Sequence, residues 1–442
     1  KNEGFLSFID DITDKLDNKT RKMILFKYKF DLSNDSNVAA MISYYIDEHE
    51  YFSVIDLLSK ITPNPNLIKI IKGNSLISKI KLFLKNIDEL DCSYEILDKF
   101  ELLSVLDLKD KYEICFKGKF NETRLNISRD CILRDSINEF SKYDMENKKI
   151  NVHYKKELGT DAGGLTRDWF TSVSKAIKDT GIFTTTPNGD KLTFNITEKD
   201  NEIAFFTGQL IGVTLSNMQN IDLKLTSFIW KKLLNHQISI DDMKDYDIDM
   251  YNSLKWISEN DVTECSLTFV NSNDDEMIEN GKNIDVNNDN KKDYINLIIE
   301  DKLIKQFSTE IENISSGFRS VIGKRKIDLL YSSYELYKSI NGEEKIDIED
   351  WKRNTNYNNK NSYDMFFKVI SNWPMIKQQK LLKFVTGSSQ VPIDGFKEFK
   401  NRGGLFKLNF INYEKNRLPS SHTCSNHLDI PLYKTHEEFD KA

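Results

Sequence analysis

Proline is scarce, with seven in 442 residues, so helices have to be ended by Asn, Asp, Ser and Gly more than by Pro. Cysteine is sparse too. The five, Cys92, Cys115, Cys131, Cys265 and Cys424, are odd in number, widely spaced and without a C-x-x-C pair. That argues against a disulfide frame and for free thiols in a reducing compartment, the cytoplasm or nucleus. Neither these thiols nor the six histidines show the ligand spacing of a zinc finger, and no metal is expected. A basic excess is missing: the formal net charge is -7, with lysines and acids interspersed, unlike the basic stripe of a nucleic-acid binder. No apolar run approaches the roughly 18 residues of a membrane span, and no signal peptide is visible. The first residue is Lys1, so a larger parent protein is expected.

What is present reads as globular. Hydrophobic residues make up 39% and aromatics 11%, enough to bury a sizeable core. The length suits roughly two to four domains. Residues 1–110 carry helical patterning, as at Phe5, Phe8, Ile9, Ile12 and Leu16, and form a helical N-terminal segment with no evident chemistry. From about 115 the texture becomes mixed. A helix is expected at Leu125–Phe140, flanked by short extended pieces, then a strand at Ile150–Tyr154, a tight turn at Asp161–Gly164 feeding a helix through Trp169, an apolar helix at Glu202–Leu215, and a strand at Leu267–Val270. The Asp161–Gly164 turn lacks the spacing of a phosphate-binding loop, so its glycines are read as permitting a tight helix entry. Residues 271–293, rich in Asn, Asp and Lys, read as a surface excursion. The stretch Asn354–Ser362 (NTNYNNKNS) is polar and linker-like, and a domain boundary is expected there.

One segment stands out chemically. Leu418–Tyr433 reads LPSSHTCSNHLDIPLY. Its Cys424 sits in a polar loop with His422 two positions away. Structural cysteines usually lie inside apolar stripes, as is expected of Cys115 and Cys265. A nucleophile acts as thiolate and benefits from polar donors and a nearby imidazole.

The segment resembles the active-site signature of HECT-type ubiquitin ligases at Leu418, Pro419, Ser421, His422, Thr423, Cys424, Asn426, Leu428, Asp429, Pro431 and Tyr433. Further matches follow the family's order: LNISRDCILRDS (Leu125–Ser136), ELGTDAGGLTRDWF (Glu157–Phe170), FTGQLIGVTL (Phe206–Leu215), DIEDWKRNTNY (Asp347–Tyr357) and LLKFVTGSSQVPIDGF (Leu381–Phe396). The resemblance implies an α+β, bilobal fold. It has a mainly helical N-lobe over 115–354 with a conjugating-enzyme-binding subdomain at about 236–307. A hinge follows at 355–361 around Asn356, Tyr357 and Asn358, then a small α/β C-lobe over 362–442. It implies that ubiquitin passes from a conjugating enzyme to a thioester on Cys424 and then to lysines of protein substrates, with no cofactor.

Other roles stay open at this level. His422 serves as acid/base or as a structural loop residue. Thr423 and Asn426 hydrogen-bond the thioester carbonyl or shape the loop. Asp429 orients a lysine amine or caps a turn. Met250, Leu254 and Ile257 share one helical face, and Tyr294 and Ile298 another. The default for such stripes is core, whereas the resemblance places these five on the family's exposed groove for the conjugating enzyme. Two departures from the family are visible. Ile137 stands where some members carry an aromatic that binds a second, regulatory ubiquitin. The chain also stops at Ala442, before the family's last helix and aromatic-bearing tail, so weakened transfer is expected. Two other readings compete: a cysteine hydrolase acting on ubiquitin, which needs a distant histidine such as His49, His153 or His236 brought to Cys424, and a non-catalytic HECT-like scaffold.

Overall fold

The computed structural model describes residues 35–86, 90–157, 163–187, 189, 191–343, 345–401, 403–412, 418–433 and 438. The expected helix at Phe5–Leu16 lies outside them, as do Asp161 and Ala162 of the glycine turn. The chain divides into two compact units, Lys1–Lys117 and Gly118–Ala442. Among the described residues no helix is long and apolar enough to cross a membrane.

The first unit is helical, with Asp35–Asp47, Tyr51–Ser59, Pro65–Ile71, Asn74–Asn86, Leu90–Lys99 and Leu108–Cys115. Its starts follow from local chemistry. Asn64 accepts from Leu67 N with Pro65 at the first helical position, and Asp107 and Asp110 cap the last helix reciprocally. Ile42, Ile46, Val54, Ile80, Phe83 and Leu97 form its interior.

Asp110 is one of two buried charged residues in that helix, with Lys111. Burial alone would raise its carboxyl, but Lys81 at 2.5 Å and Lys85 at 2.6 Å hold it down at about 2. A depressed folded value means the stabilisation is complete above the ordinary 3.8 and is lost as pH falls towards about 2. Asp110→Asn is expected to loosen the Leu108–Cys115 helix by on the order of 1–2 kcal/mol at neutral pH, solvent screening of the lysines allowed for. Faster amide exchange in that helix would show it, with the difference from wild type vanishing at the acid end.

The second unit opens with a parallel pair, β1 (Asn121–Ile127) and β2 (Lys148–Tyr154), in register Leu125↔Val152 and Ile127↔Tyr154. The helix Ile132–Phe140 lies in the crossover between them, as parallel strands require. The expected helix at 125–140 therefore begins only after β1 ends. The helix Gly164–Asp179 buries Trp169, Phe170, Val173 and Ile177. Trp169 Nε1 donates to Ser136 Oγ at 2.9 Å, which ties it to the crossover helix. A short antiparallel pair follows, β3 (Phe183–Thr185) and β4 (Leu192–Phe194).

The centre of this unit is the pairing of helices Asn201–Ser216 and Ser308–Ile322. They approach so closely that a Cβ at Gly208 would lie 1.9 Å from Ile314 O, and one at Gly317 1.9 Å from Phe205 O. Only glycine fits either place. Between these helices in sequence lie Ile248–Glu259 and Lys291–Leu303. Residues 267–270 do not form the expected strand: Thr268 and Val270 make only isolated bridges, to Asp285 and Glu276. The polar excursion that follows folds back on itself.

The C-terminal part is a four-stranded sheet in the order β5-β6-β8-β7. The strands are β5 (Thr355–Tyr357), β6 (Phe406–Ile411), β7 (Ser420–His422) and β8 (His427–Pro431). β5–β6 and β6–β8 are parallel, and β7–β8 is an antiparallel hairpin. Helices Lys360–Ile370 and Met375–Thr386 pack on the sheet through Phe366, Ile370, Leu382 and Val385.

The linker expected at 354–362 is corrected by this sheet. Asn356 and Tyr357 lie in β5, paired with Lys407 and Leu408. Asn358 is stitched to β6, accepting from Phe410 N at 2.8 Å and donating to Asn409 Oδ1 at 2.7 Å. Asn359 caps the next helix by accepting from Ser362 N. The asparagines read as flexible because they are polar, yet Asn354, Asn358 and Asn359 spend their side chains on cap and cross-strand bonds. Trp351, upstream of the stretch, is fully buried in the C-terminal core and stacks on Phe396 with centroids 4.8 Å apart.

Candidate functional site

The β7–β8 hairpin turns through a short 3-10 segment, Thr423–Ser425, and Asn426. Asn426 has φ 51°, the left-handed region that asparagine tolerates better than most residues. It is fully buried. Its Nδ2 donates to Gly404 O at 2.7 Å and its carbonyl accepts from Lys407 N at 2.9 Å. A side chain at Gly403 would come within 2.3 Å of Cys424 O. The turn is thus clamped from beneath, and Cys424 is half-exposed at its tip. Of the two readings of Asn426, loop shaping is the one these bonds describe.

His422 and Asp429 face each other across the hairpin, His422 Nε2 lying 3.1 Å from Asp429 Oδ2. Burial would raise the Asp429 carboxyl, but hydrogen bonds from Asn409 and His422 and the adjacent imidazoles bring it below the usual carboxylate value. A carboxylate only accepts, so His422 Nε2–H donates to it and Nδ1 remains the basic nitrogen. The hydrogen bond of His422 therefore runs to Asp429 and not to Cys424. His427 packs beside the pair, with ring centroids 5.4 Å apart from His422. Burial, only partly offset by Asp429, lowers its pKa below the usual imidazole value and favours its neutral form.

The thiol also meets the first turn of the Gly164–Asp179 helix. A Cβ placed on Gly164 would be 2.4 Å from Thr423 Oγ1 and 3.2 Å from Cys424 Sγ. Arg167, one turn on, donates from Nε to Thr386 O at 2.6 Å and from Nη2 to Thr423 O and, at 3.4 Å, to Asn426 Oδ1. A cleft of about 430 Å³ opens beside this junction, lined by Arg129, Gly164, Asp168, Lys380, Phe384 and Thr423 among others. At its wall Arg129 pairs with Asp168 at 2.6 Å and lies 3.8 Å over the Tyr154 ring.

Gly164, Arg167 and Asp168 were within a motif visible in sequence, but nothing local ties them to Cys424. Thr423 and Arg167 are 256 positions apart.

The five residues expected on an exposed groove need correction. Leu254, Ile257, Tyr294 and Ile298 are buried, and Met250 is half-buried. Tyr294 packs edge-on against Phe269 at 5.7 Å. The stripe is the interior of the 248–303 region, because an apolar helix face has the same spacing whether it meets its own chain or a partner. The exposed apolar side chains of this region are Ile248, Trp256 (51% exposed) and Ile284.

Residues 171–442 match the family described as HECT-domain (ubiquitin-transferase). The chain is also similar to curated proteins. It is 34% identical over 345 residues to a Neurospora crassa protein named "E3 ubiquitin-protein ligase TOM1-like", covering 73% of this chain and 8% of that one. It is 35% identical over 316 residues to Saccharomyces cerevisiae "E3 ubiquitin-protein ligase TOM1", covering 66% and 10%. It is 32% identical over 362 residues to Drosophila melanogaster "E3 ubiquitin-protein ligase Nedd-4", covering 74% and 36%. The chain thus spans only a small part of the length of these relatives.

Proposed function

Because the chain belongs to the HECT-domain (ubiquitin-transferase) family, we propose that it carries ubiquitin as a thioester on Cys424 and passes it to protein lysines. The observation that carries the reading is a half-exposed thiol at the tip of a polar turn held rigid by Asn426 and Gly403. In the first transfer the Cys424 thiolate attacks the carbonyl of a thioester on a conjugating enzyme. A new C–S bond forms, the old one breaks, and the conjugating enzyme leaves as a thiolate. In the second, a lysine amine attacks the Cys424 thioester, a C–N bond forms, and Sγ leaves as thiolate. The proton shed by the amine goes to a base in the loop, for which His422 Nδ1, oriented by Asp429, is suited.

Two of the three distant histidines a hydrolase would recruit are engaged elsewhere. His236 Nε2 bonds Asp328 O, and His49 Nδ1 bonds Tyr51. Incubation with activating enzyme, conjugating enzyme and ubiquitin tests the reading. A band that gains one ubiquitin on a non-reducing gel and collapses with thiol supports it, and its absence contradicts it.

The conjugating enzyme would dock on the 248–303 region, with Trp256 as the exposed anchor. Trp256→Ala is expected to weaken its binding at least tenfold, the loss usual for a buried interface tryptophan. Titration of labelled conjugating enzyme reads it, with Cys424 left intact. The pivot between the two parts would lie near Gly342 and Glu343, upstream of the core that Ile346, Ile348 and Trp351 join, and not at 356–358.

A further inference from the structure

We propose that Arg167 is a positioning residue for Cys424, holding the carbonyl that precedes the thiol and fixing the sulfur for the second transfer. The proposal rests on the thioester reading above. Arg167 is only 5% exposed. A guanidinium that deeply buried requires acceptors, and these come from the far end of the chain: Thr386 O, Thr423 O and Asn426 Oδ1. Thr386 ends the helix Met375–Thr386, and Thr423 is the residue before Cys424. One planar, always-charged fork thus spans a helix terminus and the cysteine turn, a geometry that an ammonium does not reproduce.

The surroundings serve the same contact. Thr171, on the next turn of the helix, donates from Oγ1 to Gly387 O at 3.1 Å. Gly387 lets the backbones close in, its missing Cβ lying 3.1 Å from Gly164 O. The two glycines at the helix entry divide the work. Gly163, at φ +98°, supplies the left-handed turn, whereas Gly164 has no left-handed φ and supplies space for Thr423 and Cys424. A glycine needed only for the turn would not have to sit under the thiol.

The arrangement suits one half-reaction. The first turn of the helix covers one flank of Sγ, and the cleft beside Thr423 leaves another approach. Thioester exchange requires a folded conjugating enzyme to bring its own thiol to that sulfur. A lysine amine arrives on a slender four-carbon stem. The latched state therefore serves the second transfer, and the first needs the latch released.

Single-turnover pulse–chase on the whole chain tests this. Cys424 is loaded with fluorescent ubiquitin from a charged conjugating enzyme, then chased with free lysine. Three variants are compared with wild type: Arg167→Ala, Arg167→Lys and Gly164→Ala. Alanine at 164 improves helix propensity while colliding with the turn, so it opens the contact without weakening the helix. Loading is expected to stay within about threefold of wild type while discharge falls at least tenfold, as when a dominant state becomes a minor one. Arg167→Lys should recover only part of the loss, and Gly164→Ala should show the same split with an undiminished Tm. Faster discharge in the variants would make the contact a brake and overturn the proposal. Equal loss of both steps with a lowered Tm would reduce Arg167 to a fold residue and overturn it too. Normal loading with unchanged discharge in all three sinks the latch alone, whereas a wild type that never loads sinks the thioester reading beneath it.

Discussion

Cys424→Ser is expected to convert a ubiquitin adduct that thiol removes into one that thiol leaves intact and hydroxide cleaves, with transfer to lysine falling by roughly a thousandfold or more. The expectation follows from what surrounds the turn. A serine hydroxyl needs a base hydrogen-bonded to it before it attacks, and the nearest imidazole, His422, bonds Asp429. Asn426 and Gly404 hold the turn's backbone in place, so the hydroxyl inherits the position of the sulfur but not its reactivity. An oxyester is also a poorer acyl donor than a thioester, so whatever adduct forms discharges slowly. Denaturing gels run with and without thiol, then with and without mild base, distinguish the two bonds. A serine variant that still transferred ubiquitin at the wild-type rate would show that the acyl carrier is another residue.

The second large effect is on the fold. Gly208→Ala or Gly317→Ala is expected to cost about 3 kcal/mol or more and to lower the Tm of the second unit by several degrees. At each site the added methyl carbon would fall 1.9 Å from a carbonyl oxygen of the facing helix. That oxygen belongs to backbone, so the only relief is for the two helices to part. Parting them disturbs the fully buried Leu210, Ile314 and Phe318, and the lost packing adds to the strain. Glu202→Ala, on an exposed position of the same helix, is the control and should shift the Tm little. Thermal unfolding followed by near-ultraviolet signal reads all three. A neutral Gly317→Ala would mean that the helices are not in contact there.

Much of the site was legible in sequence because its residues are neighbours along the chain. The run from Leu418 to Tyr433 presents its cysteine, its histidine and its carboxylate within one hairpin, and strand pairing needs only to close His422 onto Asp429. The partner across the junction was not legible. The Gly164–Asp179 helix shows an apolar face that places Trp169 and Phe170 inward, but Arg167 reads as an ordinary polar position until the fold supplies Thr386 and Thr423 as acceptors. The stripe of Leu254, Ile257, Tyr294 and Ile298 was found correctly as apolar and misplaced as exposed. Periodicity marks which face avoids water, and it does not say whether the covering surface belongs to the same chain.

The linker expected at 354–362 failed for a related reason. Composition reports solubility, and a three-residue strand with only Thr355 turned inward carries no alternating signal. Asn358 and Asn359 look like disorder in a one-dimensional view. In three dimensions they are the hydrogen-bonding pieces that end one element and start the next. What ties the stretch before β5 to the C-terminal core is an aromatic, Trp351, whose stacking on Phe396 needed a contact across 44 intervening positions to be seen.

The most direct test is to locate the adduct. The chain would be mixed with a conjugating enzyme charged with ubiquitin, quenched without reductant, digested and mapped by mass spectrometry. Cys131 and Cys265 are both more exposed than Cys424, so they serve as internal controls for indiscriminate acylation. A thioester-linked ubiquitin remnant on Cys424, lost with thiol and absent from Cys131 and Cys265, is the predicted result. A remnant distributed over the exposed thiols, or one confined to any residue other than Cys424, would contradict the account.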